Sequence, residues 1–296
     1  IRMSSRKTSL LGYGAGAVAG VSYGFNPLFA KHLLENQVPI YSMLFFRYAI
    51  AALCMGIWMV LAKESLKITT KQLPILIMLG LLFASSSMGL FEAYKYIPAG
   101  LATTICYLYP VFTALTMLFL HKRPTARTWC SIVFTLVGVG LICMPSESVA
   151  INAVGMILAI WSALSYAIYL VVVNNNSRIR NISAHAITFY GLIFGGMLFF
   201  GLTTFNAQPL TGAIHGPISW LCIVGLALIP TLISMLSLAI STRQIGATKT
   251  AVLGVFEPIT AIMIGLLVYG EKLTASIAIG VCICVGAVVF LVTGKD

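Results

Sequence analysis

The side chains that could carry out acid–base chemistry are few in this chain. Its 296 residues include seven Asp and Glu together, and the single aspartate is the last residue, Asp296. Residue type therefore excludes an aspartic protease or a motor with an internal Walker-B aspartate, and no GxxxxGK[ST] stretch offers an ATP site. The four histidines show no HExxH spacing. We expect neither a metal site nor a cofactor.

One short string has the form of a hydrolase motif. The segment Gly20–Gly24 reads GxSxG, but a nucleophile elbow needs a strand-to-helix turn and an acid–histidine pair. This string lies inside an apolar run instead. Together with Gly12 and Gly16 it forms a series with four-residue spacing, which is typical of a helix face for close packing.

The composition of the chain indicates a protein that lies in a lipid bilayer. Hydrophobic residues make up 59% of the chain and charged residues 8%, whereas soluble proteins carry about 25% charged residues. A spanning helix needs ~20 mostly apolar residues. Ten runs have this length and composition, and we number them as spans 1 to 10 in chain order: 10–30, 39–62, 73–95, 99–120, 128–144, 152–173, 184–205, 217–240, 247–269 and 275–293. We predict an all-α integral membrane protein with ten transmembrane helices.

Basic residues give the orientation. The formal net charge is +11, but the Lys and Arg residues stand in short clusters between apolar runs, which indicates membrane topology rather than nucleic-acid binding. Fourteen of them fall on one side of the predicted membrane and three on the other. The prediction is a multi-pass protein of the inner (cytoplasmic) membrane with both termini in the cytoplasm.

The two halves of the sequence resemble each other. Ser22-Tyr23 matches Ser165-Tyr166 at an offset of 143, and Pro110 matches Pro258 at an offset of 148. We therefore divide the chain into repeats 1–147 and 148–296. Five helices per repeat is an odd number, so the second copy must be inverted. Inverted repeats recur in secondary transporters, with the substrate site near the midplane between the copies.

Two prolines and one acid mark the centre of the predicted bundle. Pro110 and Pro258 fall at the midpoints of spans 4 and 9 and are predicted hinges. Tyr109 and Glu257 precede them, and Glu257 is the one acid predicted near the bilayer centre. Arg47 lies at about the same depth, so either the two form a structural ion pair or Glu257 serves substrate binding or proton transfer.

Aromatic and hydroxyl side chains also gather at mid-depth. Tyrosine and tryptophan favour membrane interfaces, so a central group indicates either core filling or a pocket for an amphipathic solute. The predicted substrate-binding set is Tyr23, Asn26, Ser86, Tyr107, Tyr109, Trp161, Tyr166, Thr231, Ser234 and Glu257.

These motifs resemble the drug/metabolite transporter superfamily, EamA type, over nearly the whole chain. The segments that carry the resemblance are 45–48 with its arginine, the paired proline motifs 107–111 and 255–259, and 269–274, which is similar to an LGE-x-LT motif. The first repeat departs from that motif at 121–125, where basic residues replace the glycine and glutamate. The resemblance implies a ten-helix basket with a central cavity lined by spans 1, 3, 4, 6, 8 and 9, and export of amino acids or related metabolites.

The sequence thus predicts a secondary transporter that exports small amphipathic metabolites, with amino acids as the first choice, by alternating access. Two alternatives stay open: a passive facilitator or channel of the same fold, and a membrane-embedded enzyme. The expected partners are a small-molecule substrate and the lipid bilayer, and the expected state is a monomer or weak dimer.

Overall fold

The structure is a computed structural model that describes residues 2–97, 102, 105–142, 152–212, 214–268 and 274–293. Within these ranges every regular element is a helix and there is no strand. Long apolar runs in lipid must satisfy their backbone hydrogen bonds internally, which a helix does within one segment. The predicted all-helical class is confirmed.

Thirteen α-helices occur in the described part of the chain. They are α1 Arg2–Tyr23, α2 Asn26–Glu35, α3 Ile40–Leu61, α4 Leu73–Ala93, α5 Tyr109–Phe119, α6 Ala126–Ile142, α7 Ala153–Asn175, α8 Ala184–Phe205, α9 Gly216–Ala227, α10 Ser234–Ile245, α11 Ala247–Leu253, α12 Phe256–Val268 and α13 Ala275–Thr293. A 3-10 turn at Ser177–Ile179 precedes α8, and a π-helical turn at Leu228–Ile233 joins α9 to α10.

Seven helical stretches in the described ranges are long and apolar enough to cross a membrane. They are Ile40–Leu61, Leu73–Ala93, Ala153–Asn175, Ala184–Phe205, Gly216–Ile245, Ala247–Val268 and Ala275–Thr293. Tyr109–Phe119 and Ala126–Leu141 are apolar but shorter. The chain is therefore a multi-pass membrane protein, and the count of ten spans stays a prediction for spans 1, 4 and 5.

Several predicted spans are interrupted near their middles. Residues 24–25 separate α1 from α2, residues 107–108 precede α5, and residues 254–255 separate α11 from α12. Pro110 and Pro258 do not lie inside continuous helices as expected, because both lie in the first turn of a new helix. Their role as hinges stays a prediction. Proline is accommodated there since the first-turn N–H groups have no partner within the helix.

Helices from the two predicted repeats pack into each other. Helix α1 lies along α10, α11 and α12, while α3 packs on α8, α4 packs on α7 and α8, and α6 packs on α13. All of these contacts cross the predicted boundary at 147/148. The core is therefore shared between the halves.

The glycine face predicted on α1 is confirmed. A Cβ atom at Gly12 would lie 2.6 Å from Cγ2 of Ile245, and one at Gly24 would lie 2.5 Å from Cβ of Thr260. Both distances are shorter than atoms of a side chain can tolerate, so the glycines set the distance between α1 and the helices of the second half.

Candidate substrate site

The helix interruptions bring several predicted site residues to the centre of the bundle. Tyr23 ends α1 and Asn26 begins α2, on either side of the break at 24–25. Tyr109 begins α5, and Glu257 lies in the first turn of α12. Tyr23, Asn26 and Glu257 are half-buried, while Tyr109 is buried. The backbone breaks therefore carry the side chains that the sequence singled out.

An aromatic cluster connects α5 to α7. The rings of Tyr109 and Tyr166 meet edge to face with their centroids 4.7 Å apart, and Tyr107 meets Tyr109 in the same way at 5.4 Å. Tyr169 stacks on Tyr166 at 6.4 Å. Edge-to-face pairs place a positive ring edge against a negative ring face and fix both rings. The four rings therefore hold one another in fixed orientations.

Glu257 lies close to this cluster. Gly254, three residues earlier, lies directly against the hydroxyl of Tyr109. The close approach of α1 holds the first turn of α12 in place, since a Cβ atom at Gly24 would lie 2.6 Å from the carbonyl oxygen of Glu257. One acid thus lies at the junction of broken helices, close to the cluster of tyrosines.

Arg47 lies beside the same cluster but binds a different element. Its side chain is fully buried, and its guanidinium carbon lies 5.6 Å from the ring centroid of Tyr23. Its Nε donates to Oγ1 of Thr231, and its Nη2 donates to the carbonyl oxygen of Pro230 at 3.2 Å. Its Nη1 has no hydrogen-bond partner. Arg47 therefore ties α3 to the π-helical turn.

Arg47 and Glu257 do not form an ion pair. Among the described residues, the salt bridges within 4.0 Å are Lys95–Glu92 and His185–Glu64. The charges of Arg47 and Glu257 still interact over a longer distance. Of the two readings that the sequence left open, the structural ion pair has no contact to support it.

Four other predicted site residues use their hydroxyl groups inside the protein. Oγ of Ser86 lies 3.2 Å from Oγ of Ser162, Oγ of Ser234 donates to the carbonyl oxygen of Ala19 at 3.0 Å, and the hydroxyl of Tyr107 donates to the carbonyl oxygen of Val252 at 3.2 Å. The remaining one is Thr231.

Thr231 supplies a backbone hydrogen bond that is missing in the π-helical turn. Pro230 has no N–H to offer the carbonyl oxygen of Leu226 four residues earlier. Oγ1 of Thr231 donates to that oxygen at 2.7 Å and also accepts from Arg47. Its hydroxyl is thus engaged with two partners in the protein, so the structure gives Thr231 a positioning role.

Trp161 lies away from the cluster. Its side chain is 52% exposed on the outer surface of α7, and its Nε1 donates to Oγ of Ser85 at 2.8 Å. The structure does not bring it together with Glu257. Position in a span gave its depth, but not the side of the helix on which it lies.

Two features of the site were missed by sequence reasoning. Cys106 was not among the predicted site residues, yet its Sγ lies 3.4 Å from Oγ of Ser162 beside the cluster. The π-helical turn was also missed, although Pro230 gave the same mid-span signal as Pro110 and Pro258. Such turns are frequent at functional sites. In the described residues no group of three or more His, Cys, Asp and Glu could hold a metal ion.

Comparison with known proteins identifies the family. The EamA-like transporter family matches twice, over residues 10–144 and 153–293. The uncharacterized transporter YdfC of Bacillus subtilis (strain 168) is 27% identical over 292 residues, which cover 95% of this chain and 88% of that protein. An uncharacterized transporter of Archaeoglobus fulgidus is 27% identical over 180 residues, which cover 61% of this chain and 62% of that protein, so this match spans less than two thirds of that relative.

A solved structure shares the fold. A protein crystal structure at 17% sequence identity has a TM-score of 0.81, covering 97% of this chain and 96% of its own. The family and the names of its relatives indicate a membrane transporter rather than an enzyme. Since the two family matches together cover most of the sequence, the chain belongs to the EamA-like transporter family.

Proposed function

We propose that this chain is a secondary transporter that exports a small amphipathic metabolite, in the first place an amino acid, by alternating access. The solute would bind in the centre of the bundle, next to Glu257. The observation that carries the proposal is the convergence of three helix breaks on one acid and a group of tyrosines.

Each part of an amino acid has a chemical counterpart there. The N-terminal ends of α2, α5 and α12 carry partial positive charge, which favours a carboxylate. The Glu257 carboxylate favours an ammonium group, and the faces of Tyr23 and Tyr166 favour cations and apolar groups alike. A zwitterion with an apolar side chain would satisfy all three.

We further infer that ten spans form two inverted repeats, 1–147 and 148–296, with both termini in the cytoplasm. Helices α1 and α2 together would form the first span, and α5 and α12 would be equivalent half-helices. In support, α5 begins at Tyr109 and α12 at Phe256, a separation of 147 residues that is close to the offset of 148 between the two proline motifs.

Counterflow in proteoliposomes tests the function. Vesicles that contain the purified protein and a high internal concentration of one amino acid should accumulate the labelled form of that amino acid, and uptake should saturate. A change of Glu257 to glutamine should lower this exchange, whereas Glu35→Gln, at an exposed acid far along α2, should leave it unchanged. Unitary currents in planar bilayers would contradict alternating access and indicate a channel.

The substrate class is tested separately by thermal shift. A ligand that binds the native state raises its melting temperature. We expect at least one amino acid to do so in the detergent-purified protein. If only non-zwitterionic metabolites stabilise it, the amino-acid assignment is wrong while the transporter assignment still holds.

A further inference from the structure

An apolar groove runs along the outside of α4 and α7, and none of the clustered tyrosines lines it. Its volume is about 380 Å³, which falls within the range of ~300–1,000 Å³ that is usual for ligand sites. Its walls are Ile77, Leu81 and Leu82 on α4, and Leu164 and Ile168 on α7. Met78, Leu81 and Trp161 along the groove are exposed, so it is open to the surroundings of the bundle, which lipid occupies around a membrane-spanning helix.

The length of the groove matches one leaflet of a bilayer. It extends along α4 from Pro74, in the first turn of the helix, to Ser85. The indole of Trp161 donates a hydrogen bond to Ser85 and forms that end of the groove. At a rise of ~1.5 Å per residue this distance is about 17 Å. Half of the hydrocarbon core of a bilayer is about 15 Å thick. One extended acyl chain therefore fits the groove from the membrane surface to the midplane.

Cationic side chains lie at the surface end of the groove. Lys71 is exposed three residues before Pro74. Nε2 of Gln72 donates to the carbonyl oxygen of Arg178 at 3.1 Å, which brings the exposed Arg178 from the loop after α7 to the same end. The acid in the same loop as Lys71, Glu64, contacts His185 and accepts a hydrogen bond from Ser183. The charge at this end therefore complements an anionic headgroup.

We propose that this groove binds one acyl chain of an anionic phospholipid, with the lipid phosphate between Lys71 and Arg178. Trp161, which the site at the centre does not use, is the residue that contacts the end of the chain. The proposal depends only on the protein spanning a membrane, and not on which solute it transports.

Trp161 can report on the lipid directly. The chain has four tryptophans, so the variant Trp58→Phe/Trp129→Phe/Trp220→Phe leaves Trp161 as the one fluorophore. This protein is placed in phosphatidylcholine vesicles that contain a small fraction of lipid brominated near the ends of its chains. Bromine quenches tryptophan on contact. Brominated phosphatidylglycerol should quench Trp161 at least fivefold more steeply, per added fraction, than brominated phosphatidylcholine with identical chains, because each basic residue favours an anionic lipid about fivefold.

Matched variants distinguish binding in the groove from a general attraction of anionic lipid to the basic loops. Lys71→Gln/Arg178→Gln should make the two lipids quench equally, whereas Lys63→Gln/Arg123→Gln, which removes two exposed cations elsewhere in the loops, should preserve the difference. Met78→Phe adds bulk to the groove wall and should weaken quenching by phosphatidylglycerol. Equal quenching by both lipids in the parent protein would overturn the proposal, and so would an undiminished preference after loss of Lys71 and Arg178.

Discussion

Glu257 combines partial exposure with a fixed backbone. It lies in the first turn of α12, and the glycines at and just after the end of α1 lie against its backbone. Arg47, the nearest predicted counter-charge, is committed to Thr231 and Pro230. We therefore expect the carboxylate to meet a solute rather than to hold the fold together.

We expect Glu257→Gln to remove transport and preserve the fold. The amide keeps the shape of the side chain and loses its charge, so counterflow should fall by more than tenfold if Glu257 binds an ammonium group or transfers a proton. The melting temperature in detergent should change little, because no ion pair is lost. A variant that melts early and transports normally would show that Glu257 is structural.

Arg47→Gln, unlike Glu257→Gln, should destabilise the protein. The change removes the two hydrogen bonds that the guanidinium gives to the π-helical turn, and unsatisfied buried groups cost about 1–3 kcal/mol each. We expect a clearly lower melting temperature in detergent, whereas Arg180→Gln, at an exposed loop position, should leave it unchanged.

The double variant Arg47→Gln/Glu257→Gln decides between independent and paired roles. With no ion pair between them, the two effects on stability should add to within about 0.5 kcal/mol. If removal of Glu257 instead restored the stability lost with Arg47, the two charges would have to be partners, and Glu257 would no longer be a candidate for substrate binding.

Depth along a helix was predictable at this scale, but direction was not. The rise per residue placed Arg47 and Glu257 at similar heights, and both lie beside Tyr23. The direction in which each side chain projects depends on the rotation of α3 and of α12 about their axes. The sequence gives no simple signal for that rotation. The same limit explains Trp161, which lies exposed on α7 beside Ser85 and not with the tyrosine cluster.

At the scale of elements, the breaks in the helices are the features that build the site. Apolar runs predicted where helices lie, because a spanning segment needs length and hydropathy. The interruptions lie within those runs and leave hydropathy unchanged. Proline was the available signal, since Pro27, Pro110 and Pro258 all fall in the first turn after a break.

The break before α12 depends on a glycine, and we expect Gly254→Ala to be destabilising. A Cβ atom at this position would collide with the hydroxyl of Tyr109, and that ring is held by Tyr107 and Tyr166. Overpacking of this kind typically costs about 1–3 kcal/mol. The melting temperature in detergent should fall, and counterflow should fall with it.

Gly140→Ala is the matched control for that experiment. Gly140 lies in α6 with no atom within 4 Å of its added Cβ, and alanine is a better helix former than glycine. Its melting temperature should stay equal or rise slightly. Equal behaviour of the two variants would show that contact between Gly254 and Tyr109 does not fix the break.

At the scale of the whole molecule, orientation follows from charge alone. Cysteines introduced at Lys67 and Ser177, both exposed in loops on the predicted cytoplasmic side, should be shielded from impermeant thiol reagents in intact cells. Cysteines at Glu35 and Thr211, exposed on the other side, should be labelled. The parent for this experiment needs its seven native cysteines replaced by serine or alanine. Labelling in the reverse pattern would invert the topology.

The packing of α1 has a consequence for how the protein is made. Gly12 and Gly16 leave the ribosome well before the residues whose side chains they contact, because Ile245 and Leu253 are more than 230 residues further along the chain. At translation rates of about 5–20 residues per second, α1 waits for roughly 12–47 s before its partners exist. Its small-residue face must be sheltered during that time by lipid, by the insertion machinery or by temporary neighbours. Whether α1 reaches its final packing is therefore decided only after residues 245–253 have been translated.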